Sequence, residues 1–131
     1  MPFIQPTADD LKRGVLIDPP GWYTVKVNSI SDWETAKSGN SQNCRVDADI
    51  IRNADSGDEK FAGFKAPNWM FNDKFMSGPV GFMRALGHEL KADERFDLNV
   101  GVGQVLDVFI VHDVYQGNTN AKVEHRYRPT R

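Results

Sequence analysis

The chain switches its hydrophobic period twice, and that switch constrains the fold more than any other feature. Trp22 to Ile30 alternates with period two: Tyr23, Val25 and Val27 share one face, and Trp22, Thr24, Lys26 and Asn28 the other. Cys44, Val46, Ala48 and Ile50 alternate against Arg45, Asp47, Asp49 and Ile51. Such alternation, rich in β-branched and aromatic residues, predicts strands. A third strand is expected from Phe61 towards Phe71, disturbed by Gly63 and Pro67 as in a bulged or edge strand. Phe82, Met83, Leu86 and Leu90 then recur at three- and four-residue spacing, which predicts an amphipathic helix over 80–90. Ser77 is its expected N-cap, Pro79 falls in its first turn, and Gly87 is expected to end its regular part. Period two returns over Val105–Tyr115 and Ala121–Arg128.

The connections carry turn chemistry. Thr35 to Asn43 is polar, contains Gly39 and reads as a flexible loop. Asn53 to Glu59 is an acidic turn, and Gln116 to Asn120 is a second turn. The first 20 residues hold Pro2, Pro6, Pro19 and Pro20, with a polar stretch from Thr7 to Arg13 that allows one turn of helix capped by Thr7. They are expected to form a leader lying on a single domain that spans 21–131.

Three strands, a helix and two strands is the layout of a mainly β, five-stranded OB-fold Greek-key barrel with one helix between its third and fourth strands. Residues 20–131 further resemble a family of short phage-encoded OB-fold single-stranded DNA-binding proteins. The matching pieces are Pro20-Gly21-Trp22-Tyr23-Thr24-Val25-Lys26-Val27, the loop Thr35-Ala36-Lys37-Ser38-Gly39-Asn40, Phe82-Met83-Arg84-Ala85-Leu86-Gly87, and Gly103-Gln104-Val105-Leu106-Asp107-Val108. The resemblance implies sequence-independent binding of single-stranded DNA in phage replication or recombination, in the cytoplasm of a bacterial host. The acidic turn Asp55–Glu59 and the stretch Phe61–Phe71 have no counterpart in it. The chain ends Arg126-Tyr127-Arg128-Pro129-Thr130-Arg131 rather than in an acidic tail, which speaks against tail-mediated recruitment of replication partners.

Single-strand binding needs cations that follow phosphates and flat side chains that take bases. Sixteen Lys and Arg against 18 Asp and Glu give a net charge of −2, so any cationic track must come from segregation. Residues 44–60 are acid-rich, whereas Lys122, Arg126, Arg128 and Arg131 stand against Glu124 alone near the end. Lys122, Arg126 and Arg128 are expected on one strand face, with Lys26 on the polar face of the first strand. Trp22, Trp33, Trp69, Phe71 and Tyr115 are the rings expected to be exposed. Lys37 is placed to meet phosphate, and Ser38 and Asn40 to hydrogen-bond to phosphates or base edges. With Arg45 and Lys65, the expected nucleic-acid-binding set is Lys26, Trp33, Lys37, Ser38, Asn40, Arg45, Lys65, Trp69, Phe71, Tyr115, Lys122 and Arg126.

Other chemistries find little support. Ala36-Lys37-Ser38 lacks the glycines of a phosphate-cradling loop, and Gly101-Val102-Gly103 lacks the third glycine and the helix of a dinucleotide fingerprint. His88, His112 and His125 are far apart, Asp55–Glu59 lacks calcium-loop spacing, and no nucleophile has a patterned base beside it. No enzyme activity, cofactor or metal is expected. Asp47 and Asp49 are the only paired carboxylates that raise a nuclease as a remote alternative. The single cysteine, Cys44, cannot form an internal disulfide and reads as a small apolar residue in a reducing compartment. No apolar run approaches the roughly 18 residues of a membrane span, and Met1–Asp10 lacks a signal-peptide layout. The main rival reading is a protein-binding module whose exposed strand edges pair a replication or recombination protein or a second copy in a homodimer.

Overall fold

The computed structural model describes residues 2–11 and 15–130. Arg13, the end of the polar leader stretch, and Arg131, counted with the basic end, lie outside the described residues. The elements run α1 (Ala8–Leu11), β1 (Gly21–Ile30), β2 (Glu34–Thr35), β3 (Gln42–Asn53), β4 (Met70–Asn72), α2 (Ser77–Ala85), a 3-10 turn (Leu98–Gly101), β5 (Val105–Tyr115) and β6 (Asn118–Arg128). The strands form one six-stranded antiparallel sheet in the order β2-β3-β1-β5-β6, with β4 attached to β3.

β1 is the centre of this sheet because both of its edges are used. It pairs β3 from Tyr23↔Asn53 to Ile30↔Val46, and β5 from Gly21↔Ile110 to Lys26↔Val105. The period-two faces fall inward as the sequence predicts: Tyr23, Val25 and Val27, then Cys44, Val46, Ala48 and Ile50, then Leu106, Val108 and Ile110 are all buried. Phe82 and Met83 from α2 and Ile17 from the leader complete the same core. Ile17 also receives His112 Nε2 on its carbonyl at 2.8 Å, and Tyr23 Oη donates to the Pro19 carbonyl at 2.6 Å. Residues 2–8 of the leader are exposed.

Four expectations are corrected. First, the strands number six, because Glu34–Thr35 pairs Gln42–Asn43 and turns the expected loop into a short hairpin. Second, of the strand expected over Phe61–Phe71 only its end is regular, as β4. Pro67 has no N–H to give a ladder, and Gly63 and Asn68 take positive φ (82° and 39°). The segment still follows β3 through isolated bonds, Ile50 N–H to Phe64 O and Val46 N–H to Trp69 O among them.

Third, α2 starts at Ser77, so Met76 rather than Ser77 is its N-cap, with no side-chain cap. It stops five residues before Leu90. Gly87, at φ 89°, donates to Arg84 O, and His88 N–H reaches back to Met83 O, which closes a Schellman motif. Leu90 packs on the core beyond the helix. Fourth, β6 begins at Asn118, because Gln116 and Gly117, at φ 51° and 79°, make a two-residue turn of the type that suits strand twist.

Gly101 marks a close approach. A Cβ there would sit 2.6 Å from Cζ of Phe82, so the 3-10 turn lies directly on the buried helix ring.

Two polar side chains, Thr24 and Asp107, are buried among the strands. Asp107 is 1% exposed on the face of β5 opposite Leu106 and Val108. Its carboxylate accepts from Thr24 Oγ1 at 2.7 Å, Arg128 Nε at 3.0 Å and Thr130 Oγ1 at 3.2 Å. This explains why Thr24, expected on the polar face, is buried as well. Removing one member of such a pair strands the other. Asp107→Ala is expected to lower the unfolding free energy by about 3 kcal/mol, read from urea denaturation, and a cost below about 0.5 kcal/mol would mean that the network contributes little.

Candidate nucleic-acid interface

The hairpin β2–β3 and the approach to β4 frame a trough. Its Trp69 end, about 480 Å³, is lined by Arg45, Asp47, Lys65, Asn68, Trp69 and Met70. Its Lys37 end, about 300 Å³, is lined by Glu34, Thr35, Lys37, Asn43, Arg45 and Met70. Arg45 and Met70 line both ends. The register Arg45↔Met70 brings them side by side, and Asn72 Nδ2 ties the hairpin base down by donating to Ser41 Oγ at 3.0 Å and Asn43 Oδ1 at 2.7 Å. Asp73 accepts from Gln42 N–H at 2.9 Å on the same side. These Asn and Asp roles depend on the β3–β4 pairing, which sequence reasoning did not resolve, and Met70 carried no signal beyond its neighbours.

The loop at the Lys37 end is built by its backbone. Gly39 takes φ 74° and donates to Ala36 O, and Ala36 N–H donates to Ser41 O. Ser38 Oγ accepts from Asn40 N–H at a long 3.4 Å. Lys37 and Arg45 have no ion pair among the described residues. Lys65 differs: its ammonium lies 2.9 Å from Asp49 and 3.4 Å from Asp47. The hydrogen bond to Asp49 raises its pKa above the ordinary lysine value, burial opposes this, and Asp47 adds to the rise. Lys65 therefore lines the trough with its charge already matched.

Two expected platforms are not exposed. Trp69 is 3% and Phe71 0% exposed. Their shared parity is right, but the register Cys44↔Phe71 turns that face inward. Trp69 stacks on Tyr127 with centroids 5.8 Å apart and packs on Phe82, and Phe71 stacks on His125 at 6.0 Å. Trp69 Nε1 donates to Tyr127 Oη at 3.0 Å, and Tyr127 Oη lies 2.9 Å from His125 Nδ1. Burial pushes the Tyr127 phenol far above its ordinary value, so it stays protonated.

The remaining candidates lie off the trough. Trp33 lines a separate cavity of about 360 Å³ beside Asp32, Glu94, Arg95 and Asp97, where carboxylates outnumber cations. Tyr115, 69% exposed, stands at the end of β5. Lys26 faces Asp49 across the β1–β3 ladder. Lys122 is held by Asp113 at 2.6 Å. Arg126 lies 4.3 Å from the Phe109 ring centroid and 3.7 Å from Glu124, and Arg128 lies 4.2 Å from the Trp22 ring while it clamps Asp107. The expected cationic face of the last strand thus exists, but local acids and rings occupy its charges. Its alternation is also broken. Phe109 pairs Glu124 and Val108 pairs Tyr127, which leaves His125 and Arg126 as a bulge.

Among the described residues no three His, Cys, Asp or Glu side chains gather as a metal site, and no helix is long and apolar enough to cross a membrane. No protein-family model matches the chain, and no curated protein matches it by sequence.

The His125 contacts give the aromatic cluster a pH dependence. Burial, and then Lys122, lower its pKa below the ordinary value near 6.5, against a smaller opposing effect of Glu124. The unfolded chain therefore binds a proton more readily than the folded one in the window below that value, so stability falls as the pH drops through it. Thermal unfolding is expected to show a lower midpoint at about pH 5 than at pH 7.5, and His125→Gln is expected to flatten that difference. An unchanged pH profile in His125→Gln would place the acid sensitivity elsewhere.

Proposed function

We propose that this chain is a non-catalytic OB-fold protein that binds single-stranded DNA with little sequence preference, in phage DNA replication or recombination. The strand pairings support the fold. Counting β1, β3, β4, β5 and β6, they run first to second, second to third, first to fourth and fourth to fifth, with α2 between third and fourth. Val123 N–H donates to Pro67 O at 3.1 Å, which joins the last strand to the approach of β4 as barrel closure requires.

The observation that carries the functional reading is the trough itself. It places Lys37 and Arg45, free of ion pairs among the described residues, along one concave surface with Met70. An extended backbone meets two cations and an apolar side chain there, and the Arg45 guanidinium offers a flat face to a base. Because Trp69 and Phe71 are buried, phosphate neutralisation contributes more than ring stacking. The affinity is correspondingly salt-sensitive and modest.

Titrating a labelled oligothymidine and following its anisotropy tests this. Log affinity is expected to fall linearly with log salt, by about 0.7 per phosphate neutralised. Lys37→Ala and Arg45→Ala are each expected to reduce that slope by about 0.7 and to weaken binding about fivefold, the equivalent of about 1 kcal/mol for an exposed ion contact. Absence of binding at about 50 mM salt, or full affinity in the folded double variant, would sink the reading.

A further inference from the structure

β5 is longer than the strand that covers it. β1 pairs β5 only as far as Gly21↔Ile110, whereas β6 continues beside it to Tyr115↔Asn118. Residues 111–115 therefore have a ladder on one side only. No backbone hydrogen bond from another described segment reaches them on the other side. Among the described residues the leader comes near through the His112 side chain, on Ile17 O and 4.0 Å from an Asp18 carboxylate oxygen.

Natural edges are usually blunted by lysine, proline, a bulge or a covering segment. The run Val111-His112-Asp113-Val114-Tyr115 holds no lysine or proline, and the β5–β6 register is unbroken over it. Its one acid, Asp113, is matched by Lys122 on the neighbouring strand. Two large apolar side chains sit at this edge almost bare, Val114 at 74% and Tyr115 at 69% exposure.

We propose that two copies of this chain pair edge to edge through the free end of β5, antiparallel and centred on Val114, so that residues 113–115 of the two copies face one another. An antiparallel edge is its own complement, because a two-fold axis matches each N–H with a C=O of the second copy. The register follows by elimination. Centring on His112 would drive Val114 of the second copy against Ile110, whose edge Gly21 already fills. Centring on Asp113 would set two carboxylates face to face. Centring on Val114 opposes Val114 with Val114 and places Tyr115 beside the Asp113–Lys122 pair of the other copy. This interface shares no residue with the trough and does not depend on nucleic-acid binding.

The test uses the full chain without DNA. Sedimentation is expected to show a monomer–dimer equilibrium, and Val114→Lys to weaken the dimer at least tenfold with the fold intact by circular dichroism. Cross-linking fixes the register. Paired residues across an antiparallel ladder have Cα atoms about 4.5–5.5 Å apart, within disulfide range, so Val114→Cys is expected to form a disulfide-linked dimer on mild oxidation. Thr119→Cys, opposite Val114 on β6, would be about three strand spacings, or ~14 Å, from its copy and is expected to remain monomeric. A wild-type chain that stays monomeric to about 1 mM overturns the proposal, as does a Val114→Lys variant that dimerises unchanged. Cross-linking of Thr119→Cys but not Val114→Cys overturns it too.

Discussion

The contact between Trp69 and Tyr127 docks on β6 the part of the sheet whose pairing is least regular. β4 is three residues long, and the chain before it kinks at Gly63, Pro67 and Asn68. Isolated backbone bonds tie this segment to β3 and β6. The indole N–H on the phenol oxygen and the stacked rings dock it on β6, and Phe71 and Phe82 close around them. Burial of a large aromatic side chain contributes on the order of 2–3 kcal/mol, and several do so here together. The same docking positions Met70 and Asn72 opposite Arg45 and Asn43, so the wall of the trough depends on a core that the trough never exposes.

The regular strands were legible because alternation reports a face wherever a strand is paired on both sides. β1, β3 and β5 are such strands, and their inward residues follow parity almost without exception. Parity fails where it must choose a sign. Trp69 and Phe71 share a side, as read, but nothing in 61–71 tells which side is inward, and the expectation that the third strand belongs to an OB binding face pointed outward. Asp107 fails for another reason. Its period puts it opposite Leu106 and Val108, and only Thr24, Arg128 and Thr130, each more than twenty residues away, make its burial tolerable. The hairpin loop was readable as polar and Gly-containing, but its attachment through Asn72 and Asp73 required knowledge of the pairing.

Charge shows the same limit. Along the sequence, acids cluster in 44–60 and cations near the end, which suggests segregated surfaces. Across the strands much of that segregation disappears. Asp47 and Asp49 take Lys65, Asp113 takes Lys122, and Asp107 with Asp55 takes Arg128. Lys37 and Arg45 take no part in this pairing among the described residues, and both line the cavity they share with Met70. A site made from so few charges is small, and with a Debye length of about 8–10 Å at moderate salt the proposed binding would act only on a strand already lying in the trough.

The two proposals, for the trough and for the β5 edge, constrain each other. The trough belongs to the β2–β3 hairpin and the approach to β4, and the edge belongs to the end of β5, so pairing through the edge leaves both troughs of a dimer open. Each trough alone supplies few contacts. Two troughs on one rigid two-fold body would convert the second contact with a long strand into an intramolecular event, at an effective concentration that reaches the millimolar range for short connections. A protein with two cations free of ion pairs in each trough, among the described residues, would in that way hold a long single strand far more tightly than a short one. Length dependence that disappears together with the dimer is the signature that would join the two features into one mechanism, and length dependence that persists in a monomer would separate them.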